Sequence, residues 1–533
     1  MPSAQTWSGQ VLETAGILYS MVSVAEITPV DHSAPGRTAR ALGLLRRHRV
    51  FAVAFALGGV LRIVTMLGYS PAMWFNDSYE YVSVALHPRP HPIRPDGYGF
   101  WLLALKPFHS FTLVVLTQHL MGLATAVLIY ALLRCRFALP KWGAALAAAP
   151  VLFDAYQIQL EQLIMSDSMF ILLVVGVVTL VLWHRRMSWQ VGALVGLLLA
   201  LTWLTRSIGL PILALVVAYL VVKRTSWKAI VAVVLTCAVP ILSYMGWFSA
   251  SMGKFAMTNS DGLILYMRTA IFADCSKMHI DKYKELELLL LCINDPVDQR
   301  KDYAQWYLWG QGGGGTGTGE VLHRWGAGKK FTEITNEAAS AFATRAILSQ
   351  PGDYLKVVTR DFFRAFHWGR PRFPDEQTYN MYEFRPYYDL DTSGRPKRLP
   401  NWPSYQGRTD TDAFSYEQGP PETRIVSPWA DIMSGYQKVF YLRGILLGGI
   451  MLVGLYGVAV RWRRFGGPVA LPWLGAFGLL LAPAATAEFD YRYVLPAVPL
   501  ACVAAAITLR RGITWGRPRP TSASASEPTT VPA

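Results

Sequence analysis

The chain has 533 residues, 52% of them hydrophobic and only 16% charged, with 18 Trp and a positive mean hydropathy. That is the composition of an integral membrane protein. Its formal charge of +15 is therefore no argument for a nucleic-acid partner, because the cytoplasmic loops of such proteins collect Lys and Arg.

Residues 1–48 read as a cytoplasmic segment whose first 36 residues contain no Lys or Arg, so the apolar GILYSMVSV stretch lacks the basic region of a signal peptide. Crossing a hydrocarbon core of about 30 Å takes about 20 apolar residues in a helix. Runs of this kind cover residues 49–68, 111–133, 141–156, 166–183, 190–205, 207–222, 229–248, 437–460, 467–486 and 493–509. The expected fold is an all-α polytopic bundle of about ten transmembrane helices. Residues 49–248 form a first block of seven spans, 249–436 an extracytoplasmic α-rich domain, 437–510 the last three spans, and 511–533 a disordered Pro, Ser and Thr-rich cytoplasmic tail.

Basic clusters orient the bundle. Arg46, Arg47 and Arg49 precede the first span; Arg134, Arg136 and Lys141 lie between the second and third; His184, Arg185 and Arg186 follow the fourth. Lys223, Arg224 and Lys228 follow the sixth, Arg461, Arg463 and Arg464 the eighth, and Arg510 and Arg511 the tenth. With ten spans every cluster falls on one side, which places both termini in the cytoplasm. The other side carries a loop over 70–110, a second over 153–166, the long domain, and the short AEFDYRY segment from Ala487 to Tyr493.

Within the domain, FTEITNEAASAFATRAILSQ and PGDYLKVVTRDFFRAF read as consecutive helices, with Pro351 suited to a first turn. The glycine-rich GQGGGGTGTGE lacks the Lys-Ser or Lys-Thr of a phosphate loop and reads as a flexible linker. Cys275 and Cys292 fall in a polar stretch of the outer domain, where an oxidising compartment favours a disulfide.

Ionisable residues beside spans on the outer rim each need a reason. Asp77 and Glu80, in NDSYEYVSVAL, match a capping box that opens a surface helix; equally, Asp77 can face a cavity as a proton acceptor or a ligand of a divalent cation. Further along the loop, His87, Arg89, His91 and Arg94 are placed for phosphate or metal, and GYGFWLLAL suits a helix lying at the interface. Glu161 and Asp167, six residues apart in LEQLIMSDSMF, would not share a face of one helix. Arg206, in LTRSIGLPI, breaks the charge pattern, either snorkelling to headgroups or offering a fork to an anion. Arg492 has Glu488 and Asp490 nearby as partners, or a phosphate.

Asp77-Ser78-Tyr79-Glu80-Tyr81 followed by HPIRPDGYGFWLL resembles the first outer loop of the GT-C glycosyltransferases that use polyprenyl-phosphate sugars. MSDSMF is similar to their second acidic element, with Asp167 where Glu is usual; LTRSIGLPI is similar to their third, with Ser207 where proline is usual; and DYRYVLPAVPLA resembles their final helix. The resemblance implies an inverting transfer of a hexose or pentose from a polyprenyl-phosphate donor to a glycan, lipid or protein acceptor outside the plasma membrane. It implies Asp77 as the catalytic carboxylate and Arg206 and Arg492 as donor-phosphate contacts. Asp167, with Glu161 and Glu80, would supply further acidic groups, with Mg or Mn as the divalent cation if one is bound. Two rivals stand beside it: a flippase for a lipid-linked glycan, and a non-catalytic membrane subunit whose outer domain docks a partner.

Overall fold

The computed structural model describes residues 46–309 and 331–510, with the single positions 43 and 322. Most of the 1–48 segment, the glycine-rich linker and the 511–533 tail lie outside the described residues.

Helices stand where the apolar runs predict them. They are α1 (Arg49–Gly68), α2 (Ser78–Leu86), α3 (Gly97–Leu105), α4 (Phe111–Ala131), α5 (Lys141–Phe153) and α6 (Ala155–Gln162). Then come α7 (Asp167–Trp183), α8 (Trp189–Thr205), α9 (Gly209–Val222) and α10 (Trp227–Met252). The outer domain holds α11 (Asp261–Ala270), α12 (Glu333–Ser349), α13 (Pro351–Arg364) and α14 (Thr409–Glu417). The chain closes with α15 (Trp429–Val439), α16 (Gly444–Val460), α17 (Ala470–Thr486) and α18 (Ala497–Leu509).

Among the described residues, five helices are long and apolar enough to cross a membrane: Arg49–Gly68, Phe111–Arg136, Trp227–Met252, Gly467–Thr486 and Tyr491–Leu509. A sixth arises if α15 and α16, bent by 54° at their junction, act as one span. The remaining four expected spans are the shorter apolar helices α5, α7, α8 and α9, of 13, 17, 17 and 14 residues. The chain is a multi-pass membrane protein whose described residues are mostly helical, with almost no sheet.

Close backbone approach sets the bundle. Gly192 and Gly196 of α8, four residues apart, face α10, and a Cβ at Gly196 would lie 2.2 Å from the Val233 carbonyl oxygen. Such small residues let two helices pack backbone to backbone inside a bilayer, where water supplies no drive for association. The basic ends also meet: the Lys223 ammonium after α9 donates to the carbonyls of Val181 (3.0 Å) and His184 (2.8 Å) after α7. Asp167 opens α7 and Arg206 follows α8, so both lie at the opposite end.

The first outer loop is fastened from two directions. Met73 pairs with the second loop, its N–H donating to Gln162 O (3.0 Å) and its carbonyl accepting from Ile164 N (3.2 Å). A two-residue strand, β1 (Tyr69–Ser70), pairs antiparallel with β2 (Arg424–Ile425) of the outer domain. One face of α3 packs on the protein, Gly99 against Val84 of α2 and Gly97 against the Leu204 backbone, with Tyr98 and Leu102 buried and Ala104 exposed. In the outer domain the two expected helices form, α12 capped by Thr332 and α13 started by Pro351, and Cys275 and Cys292 are joined.

Candidate active site

Asp77 sits at the N-cap position of α2, yet its side chain makes no capping bond. Its two oxygens point instead at guanidinium groups: Oδ1 lies 3.0 Å from Arg94 Nη1, and Oδ2 accepts from Arg492 Nη1 at 2.7 Å. Burial pushes the Asp77 carboxyl up, but Arg94 and Arg492 outweigh it and hold the group well below the usual carboxylate range. Desolvation pulls Arg94 down, and Asp77 more than reverses this.

A second pair stands beside the first. Arg206 Nη1 bonds to Asp167 Oδ1, and Asp167 is fully buried with Oδ2 left without a hydrogen-bond partner. The Tyr493 ring joins the two pairs, with the Arg206 guanidinium 5.2 Å and the Arg492 guanidinium 5.1 Å from its centroid. Arg492 also lies over Phe75 (4.9 Å) and 3.3 Å from Asp490. Snorkelling does not describe Arg206, whose head is turned onto Asp167 and Phe170, nor does Glu488 pair with Arg492. Glu488 accepts instead from the backbone N–H groups of Ala304 (2.6 Å) and Gln305 (3.3 Å). The structure thus gathers Asp77, Asp167, Arg94, Arg206 and Arg492 from the first loop, the second loop, the α8–α9 turn and the last span. Tyr493 was not singled out in the sequence, although its place beside Arg492 was visible there.

Glu80 faces a different set. It accepts from Tyr405 N (3.0 Å) and lies 3.2 Å from His91 Nε2. Because Ile93 N donates to His91 Nδ1 (3.1 Å), the ring proton belongs on Nε2 and is directed at Glu80. Burial lowers the His91 pKa. Behind it, Asp96 accepts from His91 N (3.1 Å) and the Tyr244 hydroxyl (3.2 Å), and burial pushes its carboxyl up to about 7.

Glu161 does not join the Asp77 group. It is fully buried between α1, α4 and α6, accepting from Arg62 Nε (2.8 Å) and Nη2 (2.9 Å), from Gln157 (3.0 Å), and lying 2.9 Å from His119 Nδ1. A carboxylate so occupied braces helices. Among the described residues no group of three or more His, Cys, Asp or Glu side chains is placed to hold a metal. Both oxygens of Asp77 already face cations, so the donor set suits an anion and fits a divalent ion poorly.

No family model and no curated protein matches the sequence. Solved structures with a similar course of the chain include the apo oligosaccharyltransferase of Archaeoglobus fulgidus, at 12% identity and a TM-score of 0.38, covering 86% of this chain and 50% of that one. The oligosaccharyltransferase AglB of the same organism, in complex with an inhibitory peptide and a dolichol-phosphate, matches at 13% identity and a TM-score of 0.35, over 85% of this chain and 50% of that one. ArnT of Cupriavidus metallidurans bound to undecaprenyl phosphate matches at 11% identity and a TM-score of 0.33, over 86% and 77%. The chain spans about half the length of the oligosaccharyltransferases.

Proposed function

We propose that the chain is a glycosyltransferase of the plasma membrane that moves a sugar from a polyprenyl-phosphate donor to an extracytoplasmic acceptor, with inversion at the anomeric carbon. The observation that carries this reading is the clustering of three guanidinium groups around Asp77 and Asp167 at one end of the bundle. Arg94 and Arg206 keep 18% and 17% of their side-chain surface open while Asp167 keeps none, and a guanidinium offers a planar fork to phosphate oxygens.

In the proposed reaction an acceptor hydroxyl oxygen attacks the anomeric carbon, the bond from that carbon to the phosphate oxygen breaks, and its electron pair leaves on the polyprenyl phosphate. The proton of the hydroxyl passes to Asp77. A carboxylate held this acidic is a weak base, because proton acceptors work best with a pKa near the working pH. Donor phosphate drawing Arg94 and Arg492 toward itself would loosen both ion pairs and restore basicity to Asp77. Substrate binding then prepares the base, while the same cations stabilise the departing phosphate. No step is assigned to a divalent cation.

The basic clusters at the opposite end and the Cys275–Cys292 bond agree with a site outside the cytoplasm. Ionisable residues gathered at one rim favour this reading over a flippase, whose site would lie near the bilayer midplane. The test is mass spectrometry of lipids that co-purify with the protein. A polyprenyl phosphate or its glycosylated form on the wild type, depleted in Arg94→Ala, supports the donor site; phospholipids alone, unchanged by the substitution, refute it.

A further inference from the structure

A cleft of about 1660 Å³ opens between the first outer loop and the part of the outer domain formed by residues 377–425. Phe75 and Asn76, the two residues before Asp77, line it, and Phe75 is the ring on which Arg492 lies. The cleft therefore borders the proposed reaction centre through Phe75, whose ring Arg492 covers.

Its walls combine two chemistries. Aromatic rings face it: Tyr387, Tyr388 and Trp402 are 60%, 39% and 42% exposed, a large cost in hydration unless a ligand covers them. Two are held in place. The Tyr388 hydroxyl accepts from Ile425 N (2.7 Å) and donates to Ile425 O (3.3 Å), and Trp402 rests on the edge of Tyr79 (5.8 Å). Between the rings stand acceptors and amides, among them Asn380, Asn401, Asp410 and Glu422. Five carboxylates line the cleft against the three cations Arg385, Lys397 and Arg398, which disfavours an anionic chain.

We propose that this cleft holds the acceptor, and that the acceptor is a neutral oligosaccharide. Fixed ring faces stack on the C–H faces of sugars, carboxylates and amides take the hydroxyl hydrogens, and pre-set groups lose little entropy when the ligand binds. The volume exceeds what single small ligands fill, about 300–1,000 Å³, and accommodates several sugar units. The proposal rests on the transferase reading for the identity of the reaction centre.

The experiment uses the full-length protein in detergent, with linear hexasaccharides of glucose, mannose and arabinose as probes and a neutral peptide of six residues as control. Binding is followed by saturation-transfer NMR and titration. At least one hexasaccharide is expected to bind, about tenfold or more weakly to Trp402→Ala and near normally to Trp402→Tyr, which keeps a ring. No hexasaccharide binding, binding of the peptide alone, or binding unchanged in Trp402→Ala would overturn it. Polyprenyl phosphate binding on the same samples separates the two readings: lipid bound without glycan overturns the cleft alone, and glycan bound without lipid overturns the transferase alone.

Discussion

Arg492 donates to Asp77 across 415 positions of sequence, at 2.7 Å, and so ties the last span to the first outer loop. The bond lies mostly out of water, where a charge pair is worth more than on an exposed surface. It makes the acidity of Asp77 depend on the residue that the proposed function gives to the donor phosphate.

Asp77→Asn separates the two uses of that bond. Sugar transfer is expected to fall by about 10² or more, the range for loss of a positioned base. Polyprenyl phosphate is expected to bind more tightly than to the wild type, because Arg94 and Arg492 lose their resident anion. Lipid titration on the purified variant checks the second point, and transfer at the wild-type rate would remove Asp77 as base.

Arg206→Ala leaves the Asp167 carboxylate fully buried without its cation. Stranding a buried charge costs roughly 3–5 kcal/mol, so the variant is expected to unfold earlier on heating or in denaturant. Adding Asp167→Asn should restore most of the stability and none of the affinity for polyprenyl phosphate. Recovery of both would make the pair purely structural.

Gly122 faces Glu161 so closely that a Cβ there would stand 1.9 Å from Oε1. Gly122→Ala is expected to push the carboxylate off Arg62 and His119 and to destabilise the protein by roughly 1–3 kcal/mol, the usual cost of overpacking. Activity per folded molecule should stay near the wild-type value, which transfer assays normalised to the folded fraction would show.

Glu488 supplies a pH dependence with a definite sign. Burial pushes its carboxyl from 4.5 up to about 8 in the folded chain. Between those values the folded state holds a proton that the unfolded state has lost. Its contribution to stability is therefore complete below about 4.5 and gone above about 8, falling as pH rises. Asp96, pushed up to about 7, adds in the same direction. Glu488→Gln is expected to flatten the decline between pH 5 and 8 in thermal unfolding scans; an unchanged slope would contradict it.

The spans were legible because apolar runs ended by arginines leave few alternatives, and α1, α4 and α7 begin within a residue of where those runs do. The site was legible as separate residues and not as a geometry. Asp77 and Glu80 fit a capping box by spacing alone, and only the approach of Arg94 and Arg492 shows that the Asp77 carboxylate pairs with cations and does not cap. Glu161 and Asp167 looked alike in sequence; Arg62 and His119, distant along the chain, make the first a brace. The aromatic density that ends in Tyr387 and Tyr388 was visible in the sequence, whereas the cleft was not, because Trp402 and the first-loop residues that complete it lie elsewhere along the chain.

The shortness of α9 bears on the lipid itself. Its 14 residues rise about 21 Å, against a hydrocarbon core of about 30 Å. Bilayers answer such a mismatch by thinning beside the protein. Arg206 ends α8 three residues before this helix, so a bilayer thinned there would bring the headgroup layer down to it. Under the proposed function a polyprenyl carrier would then present its phosphate to the protein without lifting its tail out of the membrane, and the depth of the bilayer would become part of how the donor is positioned.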